Sequence, residues 1–302
     1  MLNYLLAKLI GYLPFHFKGV QAVIKILWPP GGYPVIREIS TLSVSKMKIY
    51  TDSRNEVEWA VLVQGCYEKD LVETMIKLNM KTRRQVAIDV GANVGQYSLI
   101  LSKYFKKVYS FEPVPDFYQK LEANIRLNNL SNVIIKPFAL GLSEGEIEMA
   151  VMENNSLAQT ASRDRGKYHF KDNFSWRKTS AKQVSLDAVL AEEKDCVDYI
   201  KIDTDGSEYE VLLGSENLLR NHRPIIQIEL QDYVKEWLGD ATLNDIVKLL
   251  EHYEYVLLDR RGKLYTSRNY GGDYFALPKE RCEKGLASDP CNLVGKPSVH
   301  AV

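Results

Sequence analysis

The sequence predicts an α/β protein built on a mostly parallel sheet with helices on both faces. Three observations predict this. From residue 67 to residue 277, apolar strand-like runs alternate with stretches of helical period, and alternation of that kind implies strands joined by crossover helices. Residues 86–100, VAIDVGANVGQYSLI, run from a buried-strand pattern through a glycine turn into a helical pattern, the arrangement that brings a small ligand to a sheet edge. Finally, Asp89, Glu112, Asp203 and Glu229 all fall at the carboxyl ends of predicted parallel strands, where open α/β sheets bind ligands.

The elements follow in order. Residues 1–28 are rich in Leu, Ile and Tyr but are interrupted by Lys8, Pro14, His16, Lys18 and Lys25. No apolar run there reaches the ~18 to 20 residues of a membrane span, and no basic segment with a small-residue cleavage site marks a signal peptide. One or two helices packed on the domain or on a partner subunit are expected, in preference to a membrane-surface helix. Residues 29–34, PPGGYP, are a breaker. Residues 44–64 read as two strands, SVSKMKIY and EVEWAVLV, around the polar turn Asp52-Ser53-Arg54-Asn55. Residues 67–80 read as a helix with Leu71, Met75 and Leu78 on one face.

Beyond residue 86 come a strand ending at Asp89, a helix from Gln96 and a strand over residues 107–111 that stops at Glu112-Pro113. The next helix starts after Pro115 and carries Phe117, Leu121 and Ile125 at i, i+4 and i+8. A third core strand covers residues 133–135, and residues 141–150 suggest a short hairpin. A fourth covers residues 199–202 and ends at Asp203. Residues 207–220 read as one helix, residues 225–230 as a fifth strand ending at Glu229, and Thr242 to Asp245 as a capping box opening another helix. Residues 255–258 and 274–277 are two closing strands, and a loose tail is expected from about residue 280. The predicted organisation is an N-terminal extension over 1–66, a ligand-binding domain over 67–279 and the tail over 280–302.

Composition removes some function classes. The chain has 302 residues with 39 Lys plus Arg and 39 Asp plus Glu, and its isoelectric point is about 7.0. Neither a nucleic-acid footprint nor a charged membrane surface is indicated. Cys66, Cys196, Cys282 and Cys291 form no C-x-x-C, which points to a reduced, cytoplasmic protein without a structural zinc.

The glycine turn narrows the ligand. It reads D-x-G-x-N-x-G, with Asn93 where a dinucleotide site has its middle glycine. A side chain at that position obstructs a pyrophosphate but suits S-adenosylmethionine, which has no phosphate and carries an amino acid end and a sulfonium. The glycines are expected to let backbone approach the ligand. Asp89 supplies a charge opposite to that of the helix N-terminus. Glu112, about 20 residues past the glycines, is placed to bond both ribose hydroxyls. Asp89, Gly91, Ala92, Asn93, Gly95, Glu112, Pro113 and Ala139 make up the candidate cofactor set.

Asp203 would face the cofactor beside Asp89 if the chain crosses over between the first and fourth strands. The acids that follow, Asp205 and Glu208, are read equally as site residues or as helix-capping charges. Glu229 lies in the apolar run IIQIEL, where a carboxylate needs a partner or a function.

Two blocks, VAIDVGANVGQYSLI with the later SFEP, and YIKIDTDGSEYEVLLGSENLLRNHRPIIQIEL, resemble the FkbM family of S-adenosylmethionine-dependent methyltransferases. The second block is similar to that family's I-K-I-D-x-E-G-x-E-x-x-V-L pattern, with Asp205 where the family more often has Glu. The resemblance spans residues 67–277. It implies a Rossmann-like methyltransferase fold with a seven-stranded sheet and O-methylation of a sugar, glycan or secondary metabolite. It also implies cofactor contacts at Asp89, Gly91, Asn93, Gly95 and Glu112 and an acidic active-site edge of Asp203, Asp205, Glu208 and Glu229. Asp203 is the expected base, with Glu229 and then Asp205 behind it. No residue is assigned as a metal ligand, although a divalent metal among these acids is an alternative route to the same proton loss.

Residues 152–183 are the candidate substrate lid. Tyr168, His169, Phe170, Phe174 and Trp176 stand there among Arg163, Arg165, Lys167, Lys171, Arg177 and Lys178, a composition suited to an anionic glycan or nucleotide-linked sugar. Rival readings are an NAD-dependent oxidoreductase and a non-catalytic module on the same fold. A homo-oligomer is compatible with the sequence.

Overall fold

The computed structural model describes residues 35–39, 41, 43, 47–51, 56–80, 82–152, 158–160, 176–230, 243–260, 262, 264–265 and 272–283. The described residues begin with strands β1 (Val35–Ile39) and β2 (Met47–Thr51), which pair antiparallel. Helices α1 (Glu56–Gln64) and α2 (Lys69–Asn79) follow. Then come β3 (Val86–Val90), α3 (Gln96–Leu101), β4 (Lys107–Phe111), α4 (Pro115–Leu127) and β5 (Val133–Lys136). A small sheet contains β6 (Ala139–Leu140), β7 (Gly145–Met152), β8 (Ala158–Thr160) and β9 (Trp176–Val184). The chain continues with α5 (Leu186–Val189), β10 (Val197–Ile202), α6 (Glu208–Leu213), α7 (Glu216–Asn221) and β11 (Ile225–Leu230). The last described elements are α8 (Leu243–His252), β12 (Tyr255–Asp259), β13 (Gly272–Pro278) and α9 (Lys279–Glu283).

Seven strands form the main sheet in the order β12-β13-β11-β10-β3-β4-β5. β13 runs antiparallel to both its neighbours, and the pairs from β11 to β5 are parallel. The two faces of each buried strand feed two cores. Ala87 and Tyr199 pack with Leu71, Met75, Leu99 and Leu121 on one side. Ile88, Ile200 and Ile202 pack with Val211, Leu218, Ile246 and Leu250 on the other. Strands apolar on both faces must be covered on both faces, and the helices are so distributed.

The order reverses between β3 and β10. From β3 the chain steps outward through β4 and β5, then returns to lay β10 on the other side of β3, with Lys201 opposite Asp89. The crossover on which the placement of Asp203 depended is therefore present. The carboxyl ends of β3 and β10 flank the switch point, the usual ligand crevice of such sheets.

Several local expectations are corrected. EVEWAVLV lies in helix α1, not in a strand. Glu58, Trp59, Ala60, Val61 and Leu62 are all buried, and an apolar run covered on every side carries no alternation to separate strand from helix. Its buried Glu58 pairs with Lys120 of α4 at 2.7 Å. The partner of β2 is instead β1, whose VIREI run lay unread beside the PPGGYP breaker. Residues 141–150 are no self-contained hairpin, because β7 pairs with β9 across the intervening chain. The single helix expected over 207–220 is two, divided at Gly214-Ser215. There the chain packs so tightly that a Cβ on Gly214 would lie 2.0 Å from the Gly141 carbonyl oxygen. The tail expected from 280 starts with helix α9, whose Glu280 pairs with Arg223 at 2.7 Å. The expected helices of 1–28, Thr242 of the capping box, Cys291 and the aromatic centre of the lid lie outside the described residues.

The N-terminal strands dock on the main domain through asparagines of α4. The Tyr50 N–H donates to Asn124 Oδ1 at 2.8 Å, and Asn124 Nδ2 donates to the Val94 carbonyl at 2.8 Å. Ile39, Met47 and Ile49 join the same core as α2, α3 and α4. Among the described residues, no helix is long and apolar enough to cross a membrane.

Candidate active site

An open cleft lies over the switch point. Gly91, Asn93, Glu112, Pro113 and Ala139 line one part of it, and Asp203, Thr204 and Asp205 line the other. Asp89, Ala92 and Gly95 stand behind this surface. The glycines prove to make room for the protein's own chain. Gly91 has φ +75°, and a Cβ there would sit 1.8 Å from the Asp203 carbonyl oxygen. Gly95 has φ +91°, and a Cβ there would meet Leu121 Cδ1 at 2.5 Å. The first glycine lets the ends of β3 and β10 touch, and the second lets α3 lie against α4.

Glu112 is 4% exposed. Its two oxygens accept from the Asn93 N–H at 2.7 Å and the Val114 N–H at 2.9 Å. Burial pushes its carboxyl up to about 7 against the pull of those amides. The carboxylate is thus oriented by backbone at the rim of the cleft, with spare lone pairs. Asp89 is fully buried. Its Oδ2 accepts from the Ser98 hydroxyl at 2.6 Å, while Oδ1 has no partner. Burial raises its pKa, and nearby Lys201 and the Ser98 hydrogen bond oppose the rise.

The other side of the cleft is ionic. Lys201 is 4% exposed, and its Nζ donates to Asp203 Oδ2 at 2.8 Å. The same ammonium lies 4.7 Å from the centre of the Tyr97 ring, within cation–π range. Burial alone would lower the lysine pKa, but Asp203, Asp89 and Glu68 outweigh it and the net shift is upward. Sequence reasoning passed over Lys201 because it sits mid-strand in an apolar run. The alternation Tyr199–Lys201 on one face of β10 was the available signal.

Asp203, Asp205 and Glu229 can each place a carboxylate oxygen within 4.8 Å of the other two. The sequence-chosen acids thus converge from the end of β10, the following turn and β11. Glu208 takes a different position: its Oε1 accepts from the Thr204 N–H, the Thr204 hydroxyl and the Gly206 N–H at 2.9, 2.9 and 3.2 Å. It ties down the loop that carries Asp203 and Asp205.

Three further groups join this side. Asp273 of β13 is in register with Glu229, and its carboxyl is pushed up to about 6 by burial and by Asp203. Glu68 is pushed up to about 7, first by burial and then by Asp273 and Asp203. The Tyr67 phenol is raised by burial and by Glu68, Asp203, Glu229 and Asp273. None of the three belongs to a local motif, so spacing alone did not reveal them.

A seven-stranded sheet with a single reversed strand, a glycine turn at the switch point and carboxylate-tipped strands on both sides of it define a Rossmann-like methyltransferase fold. Residues 89–257, more than half of the chain, match the model of the methyltransferase FkbM domain. The chain belongs to the FkbM methyltransferase family.

Among curated relatives, the methyltransferase sdnD of Sordaria araneosa is 30% identical over 163 residues, which cover 44% of this chain and 63% of that one. An uncharacterized RNA methyltransferase of Bacillus cereus is 23% identical over 145 residues, covering 46% of this chain and 30% of that one. The chain therefore spans less than two thirds of either relative. Among solved structures, the methyltransferase FkbM of Methylobacillus flagellatus aligns at TM-score 0.41 with 16% identity, over 64% of this chain and 43% of that one. TYW2 of M. jannaschii, solved in complex with AdoMet, aligns at TM-score 0.41 with 17% identity, over 81% and 86%.

Proposed function

We propose that the protein is an S-adenosylmethionine-dependent O-methyltransferase acting on a hydroxyl of a sugar, glycan or secondary metabolite. The observation that carries the reading is Glu112, a buried carboxylate at the end of β4 held by the Asn93 and Val114 amides at 2.7 and 2.9 Å on the rim of the cleft. That group suits a ribose diol. The unpartnered Oδ1 of buried Asp89, beneath the same turn, suits the cationic end of an amino acid, reached through water. Asn93 sits at φ 53° in the turn, where a dinucleotide site would have glycine, and this disfavours the NAD reading.

Bound S-adenosylmethionine supplies a methyl group activated by its sulfonium. That methyl would pass to the acceptor oxygen with S-adenosylhomocysteine leaving, so the task left to this chain is to hold the acceptor in line and take its hydroxyl proton. Asp203 is the proposed base, because it lines the cleft and its side chain is 36% exposed. Lys201 fixes its orientation. After proton transfer the ammonium remains in the field of Asp89 and Glu68. Positioning of donor and acceptor in line can contribute several kcal/mol of barrier lowering, and a base typically 10²–10⁴-fold in rate.

Glu229 and Asp205 stand next in line as base. A divalent cation gathered by Asp203, Asp205 and Glu229 would instead acidify the hydroxyl, but Asp203 already has Lys201 as its counter-charge. The test is transfer of labelled methyl from S-adenosylmethionine into cell extracts and sugar nucleotides, with and without EDTA. Transfer that survives EDTA and is lost in Asp203→Asn supports the proposal. Transfer to nitrogen or carbon, or undiminished transfer in the variant, contradicts it.

A further inference from the structure

The segment ahead of the family-matched span is fastened to the glycine turn at two consecutive residues. Gln96, directly after Gly95, is buried, and its side-chain amide closes a reciprocal pair with the Tyr67 backbone. The Tyr67 N–H donates to Gln96 Oε1 at 2.7 Å, and Gln96 Nε2 donates to the Tyr67 carbonyl at 3.0 Å. The next residue of α3, Tyr97, donates its hydroxyl to Glu68 Oε2 at 3.2 Å. Gln227 Nε2 in turn donates to the Tyr97 hydroxyl at 3.2 Å.

Glu68 needs such support. It holds φ 51° at the start of α2 without a side-chain cap, a left-handed conformation that an ordinary side chain keeps only when its surroundings impose it. The carboxylates that bear on Tyr67 and Glu68 include Asp203 and Asp273, and Glu229 also bears on Tyr67. Of these, Asp203 lines the cleft, and Glu229 and Asp273 stand in register on β11 and β13. The clamp therefore connects the glycine turn to Tyr67 and Glu68, two residues ahead of the matched 89–257.

We propose that Tyr67 and Glu68 form the acceptor-side wall of the site, and that Gln96 is the positioning residue through which occupancy of the glycine turn sets that wall. The inference rests on the S-adenosylmethionine reading and extends it to a residue with no cofactor contact of its own. A ligand that orders the turn orders Gln96, and the paired amide carries that order to Tyr67.

Hydrogen exchange on the full chain, with and without S-adenosylhomocysteine, tests it. The expected result is that this product slows exchange about tenfold in peptides covering both 91–97 and 66–70. In Gln96→Ala, calorimetry still detects S-adenosylhomocysteine binding and 91–97 is still protected, but protection at 66–70 is lost. Gln96→Glu, which keeps the acceptor and removes the donor, serves where the alanine variant fails to fold and should show the same loss. Protection of 91–97 without 66–70 in the unaltered protein overturns the inference while leaving the cofactor reading intact. Equal protection of 66–70 in protein and variants removes Gln96 as the link. Absence of S-adenosylhomocysteine binding altogether overturns the cofactor reading, and the inference falls with it.

Discussion

The two sides of the cleft are built in opposite ways. The β3–β4 side is a local device: Gly91, Asn93 and Glu112 lie within 22 positions of one another, and backbone amides hold the Glu112 carboxylate on the rim. The β10–β11–β13 side is assembled from distant parts of the chain. Lys201, Asp203, Glu229 and Asp273 come from three strands, and Tyr67 and Glu68 from a segment ahead of them all. The contrast suggests a division of labour. A side that must hold one common ligand can be a compact motif, whereas a side that must suit a particular acceptor draws on whatever elements reach the rim.

The largest expected effect breaks the contact between the two sides. Gly91→Ala forces a Cβ into the Asp203 carbonyl at a left-handed φ, so we expect a loss of about 3–5 kcal/mol of stability and no S-adenosylhomocysteine binding. Thermal melting and calorimetry measure both, and a variant that melts and binds normally would refute the packing described. Next comes Asp203→Asn, which should still bind S-adenosylhomocysteine while turnover falls about 10²–10⁴-fold. A parallel loss of binding would move Asp203 to the cofactor side.

Glu112→Gln should weaken S-adenosylhomocysteine binding about 10- to 100-fold, the scale of one hydrogen bond to a charged group, and cost about 1–3 kcal/mol of stability, because its amide nitrogen cannot accept from the backbone N–H that the lost oxygen served. The smallest effect concerns Glu68. Its carboxyl titrates at about 7 in the fold against an ordinary value of 4.5, so the folded state holds the proton more tightly than the unfolded one. That contribution to stability is complete below about pH 4.5 and fades as pH rises through about 7. Glu68→Gln should therefore raise the melting temperature by a few degrees at pH 8 and leave it nearly unchanged at pH 4. An increase of the same size at both pH values would show that the carboxyl's titration is not the cause.

The same contrast explains what the sequence disclosed. The β3–β4 side of the cleft was legible because its physics is local: a buried strand, a glycine turn, and an acid one strand later. The mostly parallel character of the main sheet followed from alternating periods, whereas its strand order did not, and Asp203 and Glu229 were visible as acids closing apolar runs. Lys201 was hidden inside such a run, because a charged residue paired within the fold looks the same in sequence as one that is not. Tyr67, Glu68 and Asp273 were invisible because they meet the site only through tertiary contact. The strand expected at EVEWAVLV failed for a related reason: a segment buried all round leaves no periodicity to read. The glycines were read as letting backbone approach a ligand; the structure adds that a Cβ at Gly91 or Gly95 would meet the protein's own Asp203 or Leu121.

The central claim is that the rim carboxylate Glu112 grips the ribose of an S-adenosyl ligand, and titration calorimetry with S-adenosylhomocysteine between pH 6 and pH 8 tests it most directly. Because burial holds the Glu112 carboxyl at about 7 and ribose hydroxyls donate to the ionised form, affinity should weaken about tenfold from pH 8 to pH 6, and Glu112→Gln should flatten that dependence. Absence of binding, or a pH dependence unaltered in the glutamine variant, would contradict the account.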